Sequence, residues 1–231
     1  MILVQEAMHS SKLRKEKGML IKLDMANAFD RVKLTFLYQV LLSFGFEQEF
    51  VNLIQAYTHS PWIAPLVNGR PAEFFKSSRG LRQGCPLSPF LYILMADSLS
   101  RKLEQERLIG VVPGLRITKD LKPINHALFV DDSLMLGGAS NRVASAFKSI
   151  LQNYCNVSGA LISERKSVVY SWNASEHETQ RIARTLGFKG YADWEKIQYL
   201  GLPLSLGINK VNLWEGVLTK IKGKIDAWGG H

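Results

Sequence analysis

Three aspartates carry the chemistry that this sequence most readily suggests. Asp24 closes an apolar run, MLIKLDM (19–25), and Asp131 and Asp132 stand together in ALFVDDSLML (127–136), between two further apolar stretches. Carboxylates crowded at a buried turn repel one another and resist ionisation. A divalent cation removes that conflict. Hard oxygen donors suit Mg²⁺, which takes one or two carboxylates and completes its shell with water and substrate phosphates. Two such ions about 3.5–4 Å apart activate a hydroxyl nucleophile and stabilise a leaving pyrophosphate. Each piece alone also has a plainer reading. Aspartate is an ordinary turn residue, so Asp131-Asp132 serves equally as a hairpin tip, and Asp24 as a helix cap or a solvated strand end.

The elements around these residues decide whether they can meet. Residues 1–14 read as a helix. The 19–25 run behind Gly18 reads as a buried strand ending at Asp24. Phe36, Leu37, Val40 and Leu41 recur at helical spacing, with Gly45 as the stop. Phe50, Leu53, Ile54 and Tyr57 form the apolar side of a second helix that Ser60-Pro61 ends. Asn68-Gly69, between 63–67 and 72–76, predicts a two-residue hairpin turn. Ser88-Pro89 predicts a helix start, with serine as N-cap and proline at the first helical position. Leu91, Leu94, Met95, Leu99 and Leu103 lie on one side of that helix.

Residues 124–130 and 133–136 then read as two strands with Asp131-Asp132 as the turn between them. Ser140 caps a helix that turns Val143, Phe147, Ile150, Leu151 and Tyr154 inward, and Ser158-Gly159 stops it. Residues 168–171 form a strand. Ser175 and Glu178 make a capping-box pattern before a helix that ends near Gly187. Residues 197–206 are extended, and a last helix runs from about Lys210 to Trp228 before Gly229-Gly230. The fold class expected is α+β: a small, largely antiparallel sheet with helices on one face. The helices at 33–44, 88–107 and 140–157 belong behind it.

Bulk properties set the frame. The 231 residues are 46% hydrophobic and 21% charged, enough for one sizeable core and unlike a disordered chain. No apolar stretch is long enough to cross a bilayer, and MILVQEAMHSS lacks the basic flank and cleavage site of a signal peptide. The two cysteines, Cys85 and Cys155, form neither a zinc-ligand pair nor a disulfide framework. A net charge of +9 suits a polyanion binder or a solubilising lysine excess equally. Its clusters are dispersed: Lys12, Arg14, Lys15 and Lys17; Arg101, Lys102 and Arg107; Lys220, Lys222 and Lys224.

Five segments occur in an order that resembles reverse transcriptases of the non-LTR (LINE-type) retrotransposon family, with plant open reading frames the nearest likeness. They are KLDMANAFDRV (22–32), RGLRQGCPLSP (79–89), ALFVDDSLML (127–136), SGALISERKSVVY (158–170) and YLGLPL (199–204). The resemblance implies a reverse-transcriptase palm with partial fingers over 1–206 and the start of a thumb over 207–231. It implies further fingers strands before Met1. Asp24 and Asp131 correspond to the aspartates that bind both Mg²⁺ ions (Mn²⁺ in their place), and Asp132 to the more peripheral member of the pair. Met25 corresponds to a residue lending its carbonyl to a metal.

Phe29 falls at the position whose ring excludes a ribose 2′-hydroxyl; packing just past a strand is its plainer role. Gln83 and Gly84 correspond to residues under the nascent base pair, where glycine permits close backbone approach. Lys166 corresponds to a lysine that meets pyrophosphate charge, against a solvated surface lysine. Tyr199, Leu200 and Gly201 correspond to the primer grip, against a plain hairpin. The partners implied are an RNA template, a DNA primer and dNTPs, and the family's life cycle implies work in the nucleus. Three positions depart from the family pattern: Asn27 for a common lysine, Val130 for a small alanine, and Ser163 for an asparagine. None removes a metal carboxylate. A catalytically silent, RNA-binding remnant, an RNA-dependent RNA polymerase and a group II intron maturase remain the alternatives.

Overall fold

The computed structural model describes residues 2–59, 62–192, 196–205 and 210–228. In chain order the elements are α1 (Ile2–Leu13), β1 (Gly18–Asp24), α2 (Leu34–Ser43), α3 (Gln48–His59), β2 (Trp62–Ile63), β3 (Leu66–Val67), β4 (Arg70–Pro71), β5 (Phe75–Lys76) and α4 (Ser88–Leu108). They continue with β6 (His126–Phe129), β7 (Asp132–Gly138), α5 (Asn141–Ser158), β8 (Val168–Trp172), α6 (Glu176–Leu186), β9 (Lys189–Tyr191), β10 (Lys196–Tyr199), β11 (Leu202–Ser205) and α7 (Lys210–Trp228). The expected breaks at Ser60-Pro61 and Gly229-Gly230, and Leu206 at the end of the expected extended run, lie outside the described residues.

A five-stranded sheet in the order β6-β7-β1-β8-β9 organises the chain, antiparallel at every pair except β8–β9. β1 sits at its centre. Apart from Lys22 its run is apolar because both faces of the sheet are covered, which corrects the expectation of helices on one face alone. On one face Met19, Ile21, Leu23, Met135 and Val169 pack against Phe147 and Leu151 of α5, Leu99 and Leu103 of α4, and Ile182 and Leu186 of α6. On the other, Leu20, Leu134, Leu136 and Trp172 meet Val4, Ala7 and Met8 of α1, and Ile197, Tyr199 and Leu204 of the β10–β11 hairpin. Gly18 opens β1 where Trp172 lies flush on the backbone: a Cβ there would fall 2.1 Å from the indole. A third cluster joins α2, α3 and the first half of α4 through Leu37, Leu41, Val51, Ile54, Leu91 and Met95.

The local signals mostly act as read. Ser140 accepts from the Val143 amide, and the Ser175–Glu178 capping box closes in both directions. Gly159 and Gly187 end α5 and α6 in the left-handed conformation. Asn68 and Gly69, both at positive φ, join β3 to β4 in the mirror-image turn that a tight hairpin prefers.

Three readings are corrected. The N-cap of α4 is Leu87, with no side-chain bond; Ser88 is already helical, buried, and donates its hydroxyl to the Arg82 carbonyl instead. The packed side of α3 is Val51, Ile54 and Thr58, while Phe50, Leu53 and Tyr57 face outward. The acidic hairpin pairs Phe129 with Asp132, so its two turn residues are Val130 and Asp131, and Asp132 begins β7. The pairing of β7 with β1 sets this register. A slip by one residue would exchange Leu134 and Leu136 with Met135 between two covered faces.

Candidate active site

β1 and β7 run antiparallel with Asp24 directly opposite Asp132. Asp131 stands one residue earlier, exposed, in the turn. The sheet therefore delivers all three carboxylates to one end. Like charges facing across a ladder disfavour the pair by about 0.2–1 kcal/mol. Burial pushes the Asp132 carboxyl above its ordinary pKa; the charges of Asp131 and Asp24 push the same way, and the Lys22 ammonium opposes them. Val130, at φ 51, is a β-branched residue held in the left-handed region. That conformation costs roughly 1–2 kcal/mol, and strain of this kind concentrates where a site must be held in place.

Beyond Asp24 the backbone is laced to the segment that carries Lys166. The Ala26 amide donates to the Leu161 carbonyl at 2.8 Å, and the Ser163 amide to the Asp24 carbonyl at 2.9 Å. The Asp24 amide donates to Ser167 Oγ at 3.2 Å. Lys166 closes this turn and brings its Nζ to 3.6 Å from Asp24 Oδ1. Ser163 enters the lacing through its amide and carbonyl, so serine in place of asparagine leaves this framework intact. The two bonds flanking the Met25–Ile162 bridge use the backbone of residues 24 and 26. In that alternation the Met25 carbonyl points to the opposite side of the strand, the side on which β7 lies.

A second lacing holds the RGLRQGCPLSP segment over the same end. Gly80 and Leu81 donate their amides to the Val32 and Phe29 carbonyls, both at 2.8 Å, and Gln83 Nε2 donates to Asp30 Oδ1 at 3.1 Å. Gly84 sits at φ 79 with open space where a Cβ would stand. Phe29 stacks on Tyr92 of α4 at a centroid distance of 4.9 Å. It thus has both the packing role and a face on the cleft. A cleft of about 760 Å³ results, lined by Asp24, Met25, Phe29, Gln83, Gly84, Asp131 and Lys166 among others.

Seven of the residues singled out in the sequence therefore share one cavity. Asp132, Tyr199, Leu200 and Gly201 lie beside it and do not line it. Leu200 and Gly201, both at positive φ, form the turn of the β10–β11 hairpin, and the buried Tyr199 donates its hydroxyl to the Asp132 carbonyl at 3.2 Å. Among the described residues, no three acidic, histidine or cysteine side chains converge closely enough to hold one ion. The carboxylates share one end of the sheet, with Lys166 beside Asp24. Arg82, Asn27 and Ser163 also line the cleft. Tyr92 lies beneath it, its hydroxyl pushed up to about 12 by burial and then by the charge of Asp131. Sequence reasoning missed Tyr92 as part of the site because its spacing on α4 is that of a core residue.

Five of the ten residues in the basic clusters are held in ion pairs. Arg14 meets Glu16, Lys17 meets Glu178, Arg101 meets Asp97, Lys102 meets Glu106, and Arg107 meets Glu104.

An acidic strand end thus faces an acidic hairpin, with helices behind and a glycine-containing loop above. The reverse transcriptase (RNA-dependent DNA polymerase) family model matches residues 3–204, and the chain belongs to that family. An uncharacterized mitochondrial protein of Arabidopsis thaliana is 44% identical over 68 residues, 29% of this chain and 56% of that protein. The Pol polyprotein of the type-2 retrotransposable element R2DM of Drosophila melanogaster is 34% identical over 113 residues, 49% of this chain and 10% of that one. The chain thus spans about half of the first relative and a tenth of the second. Among solved structures, telomerase from Candida albicans, in complex with a fragment of telomeric RNA, superimposes with a TM-score of 0.61 at 15% identity. That superposition covers 88% of this chain and 32% of the telomerase, and shows the shared fold.

Proposed function

We propose that this chain is the palm of an RNA-directed DNA polymerase that extends a DNA primer on an RNA template using dNTPs, as part of a non-LTR retrotransposon. The observation that carries the reading is the register of Asp24 against Asp132 with Asp131 on the adjoining turn. The hard oxygen donors fit Mg²⁺, or Mn²⁺ in its place. Asp24, Asp131 and the Met25 carbonyl would hold the ions, with Asp132 more peripheral. Such ions would supply Lewis-acid stabilisation of the primer oxyanion and of the leaving pyrophosphate.

The chain's own residues divide the remaining work. Phe29, backed by Tyr92, presents a rigid ring that excludes a ribose 2′-hydroxyl. Gln83 and Gly84 support the nascent base pair, the glycine allowing close approach. Lys166, already drawn toward Asp24, meets the charge of the triphosphate. The Leu200-Gly201 turn holds the primer end. We assign 1–206 to the palm with partial fingers and 207–231 to the start of the thumb, and place the activity in the nucleus.

Primer extension tests the reading. An oligo(dT) primer on poly(rA), with dTTP and Mg²⁺ or Mn²⁺, is extended by the wild-type chain and not by Asp131→Asn. Equal extension by both removes Asp131 from the catalytic machinery, and no extension by the wild type, with Mn²⁺ and a fingers segment from a relative also supplied, points to the RNA-binding remnant. Phe29→Ala is expected to admit ribonucleotides; unchanged discrimination removes Phe29 from the gate.

A further inference from the structure

Lys22 is a charged residue in the middle of a strand whose neighbours are core. Side chains alternate along a strand, so Leu20, Lys22 and Asp24 share one face of β1. Leu20 on that face packs with Ile197, Tyr199 and Leu204 of the β10–β11 hairpin. Lys22 occupies the next place along the face, between this apolar contact and the aspartates, and its Nζ donates to the Gln198 carbonyl at 3.0 Å.

The hairpin's own geometry explains why that carbonyl is available. With Leu200 and Gly201 as the two turn residues, Tyr199 and Leu202 form the hydrogen-bonded pair that closes the turn. The next pair, Gln198 and Pro203, is then of the non-bonded kind, with its backbone groups turned away from each other. Proline at 203 sacrifices no ladder bond, and the Gln198 carbonyl faces out of the hairpin, where Lys22 meets it. The adjacent residue, Tyr199, reaches from the same strand to the Asp132 carbonyl at 3.2 Å.

We propose that Lys22 is a positioning residue: with the Tyr199 hydroxyl it forms a two-point clamp that holds the Leu200-Gly201 turn at a fixed distance from the metal-binding aspartates. Its ammonium bonds the hairpin on one side and lies within electrostatic reach of Asp132 on the other. One side chain thus ties the element that would hold the primer to the carboxylates that would act on its 3′-hydroxyl. The inference rests on the polymerase reading proposed above.

The test compares Lys22→Met, Lys22→Arg and Tyr199→Phe in the full chain by two readouts. Amide hydrogen exchange across 196–205 is expected to accelerate in Lys22→Met, with β1 and β7 and the thermal midpoint unchanged, and to return to wild-type rates in Lys22→Arg. In primer extension, Lys22→Met is expected to lower kcat about tenfold, within the roughly hundredfold that a reactant misplaced by about 1 Å can cost, with KM for dTTP held. Lys22→Arg restores it, and combining Lys22→Met with Tyr199→Phe costs less than the sum of the two. Wild-type exchange in Lys22→Met, wild-type kcat, or a loss that Lys22→Arg shares in full overturns the assignment. Asp131→Asn serves as the control that separates the two claims. Wild-type extension no greater than that of Asp131→Asn defeats the polymerase reading, and with it the clamp's role in catalysis, whatever the exchange rates show.

Discussion

The aspartate-bearing sheet and the segment from α3 to β5 use apolar residues in opposite ways. In the sheet they are consumed: β1, β7 and β8 place theirs against α5, α6, α1 and the β10–β11 hairpin, and Phe147 is fully buried. From Phe46 to Phe75 they are displayed. Phe46, Phe50, Leu53 and Tyr57 make an outward stripe, Phe46 stacks on Phe50 at 5.0 Å, and Leu53 is 69% exposed. Trp62, Ile63, Leu66, Val67, Phe74 and Phe75 extend the exposed apolar surface across the short hairpins. Hydrophobic periodicity thus identifies which residues seek cover; it does not say whether the cover lies within the same fold. On α3 the aromatic Phe50 and Tyr57 are on display, while the packed face carries Val51, Ile54 and Thr58.

Asp24 gives the sharpest way to test what the sheet is for. Asp24→Asn is expected to abolish primer extension, a loss of at least a thousandfold or about 4 kcal/mol of transition-state stabilisation. Removing one of two facing charges should at the same time leave stability level or raise it by up to about 1 kcal/mol. Thermal denaturation read beside extension checks both. If Asp24→Asn lowers stability and activity together, the carboxylate is structural and the site reading weakens.

Core truncation separates the two regions most directly. Phe147→Ala, which empties a fully buried position against β1 and β7, is expected to cost about 3–5 kcal/mol. Leu53→Ala, in the displayed stripe, should change stability by less than about 0.5 kcal/mol. Comparable losses in urea denaturation would mean that the α3 stripe is covered in solution, and the contrast between the regions would dissolve.

That contrast also marks how much was legible in the sequence. Short-range chemistry was: the capping box at Ser175, the serine cap at 140, the glycine stops at 159 and 187, and the Asn68-Gly69 turn each depend on residues within a few positions of one another. What depended on distant partners was not. Ser88 looks like a cap until Arg82 offers its carbonyl. The acidic pair looks like a turn until β1 fixes the register and draws Asp132 into β7. Phe50 and Tyr57 look like core until Val51 and Ile54 take that place. The grouping of Asp24 with Gln83 and Lys166 in one cleft came through likeness to a family; no spacing within the chain announces it.

A smaller effect reads the cap itself. Ser175→Ala removes the hydroxyl that accepts from the Glu178 amide and should cost about 1 kcal/mol. Urea titration followed by circular dichroism measures it. Because α6 packs on the sheet through Ile182 and Leu186, the loss should appear in global unfolding rather than as local fraying. A loss confined to α6 would show that this helix unfolds apart from the sheet.

The pH dependence of that cap is the finest test of the sheet region. Glu178 bonds Lys17 at 2.7 Å and accepts from the Ser175 amide at 2.9 Å, and these partners hold its carboxyl down at about 2, against 4.5 for a free glutamate. A depressed folded-state pKa means that the unfolded chain binds the proton more readily. The contribution is therefore complete above about pH 4.5 and is lost as pH falls through about 2. His126 in β6 adds a second step of the same sign nearer neutrality. Its ring meets Ser100 Oγ at 2.7 Å and Asn125 Oδ1 at 2.6 Å, and burial lowers its pKa below 6.5. The neutral ring is favoured by folding, so stability is full above pH 6.5 and declines as acid forces protonation. Replacing His126 with Gln should flatten the higher step and leave the lower one; replacing Glu178 with Gln should do the reverse. If both substitutions flatten the same step, the two groups titrate as one unit and the sheet's edge strand is coupled to α6 more tightly than their separate contacts imply.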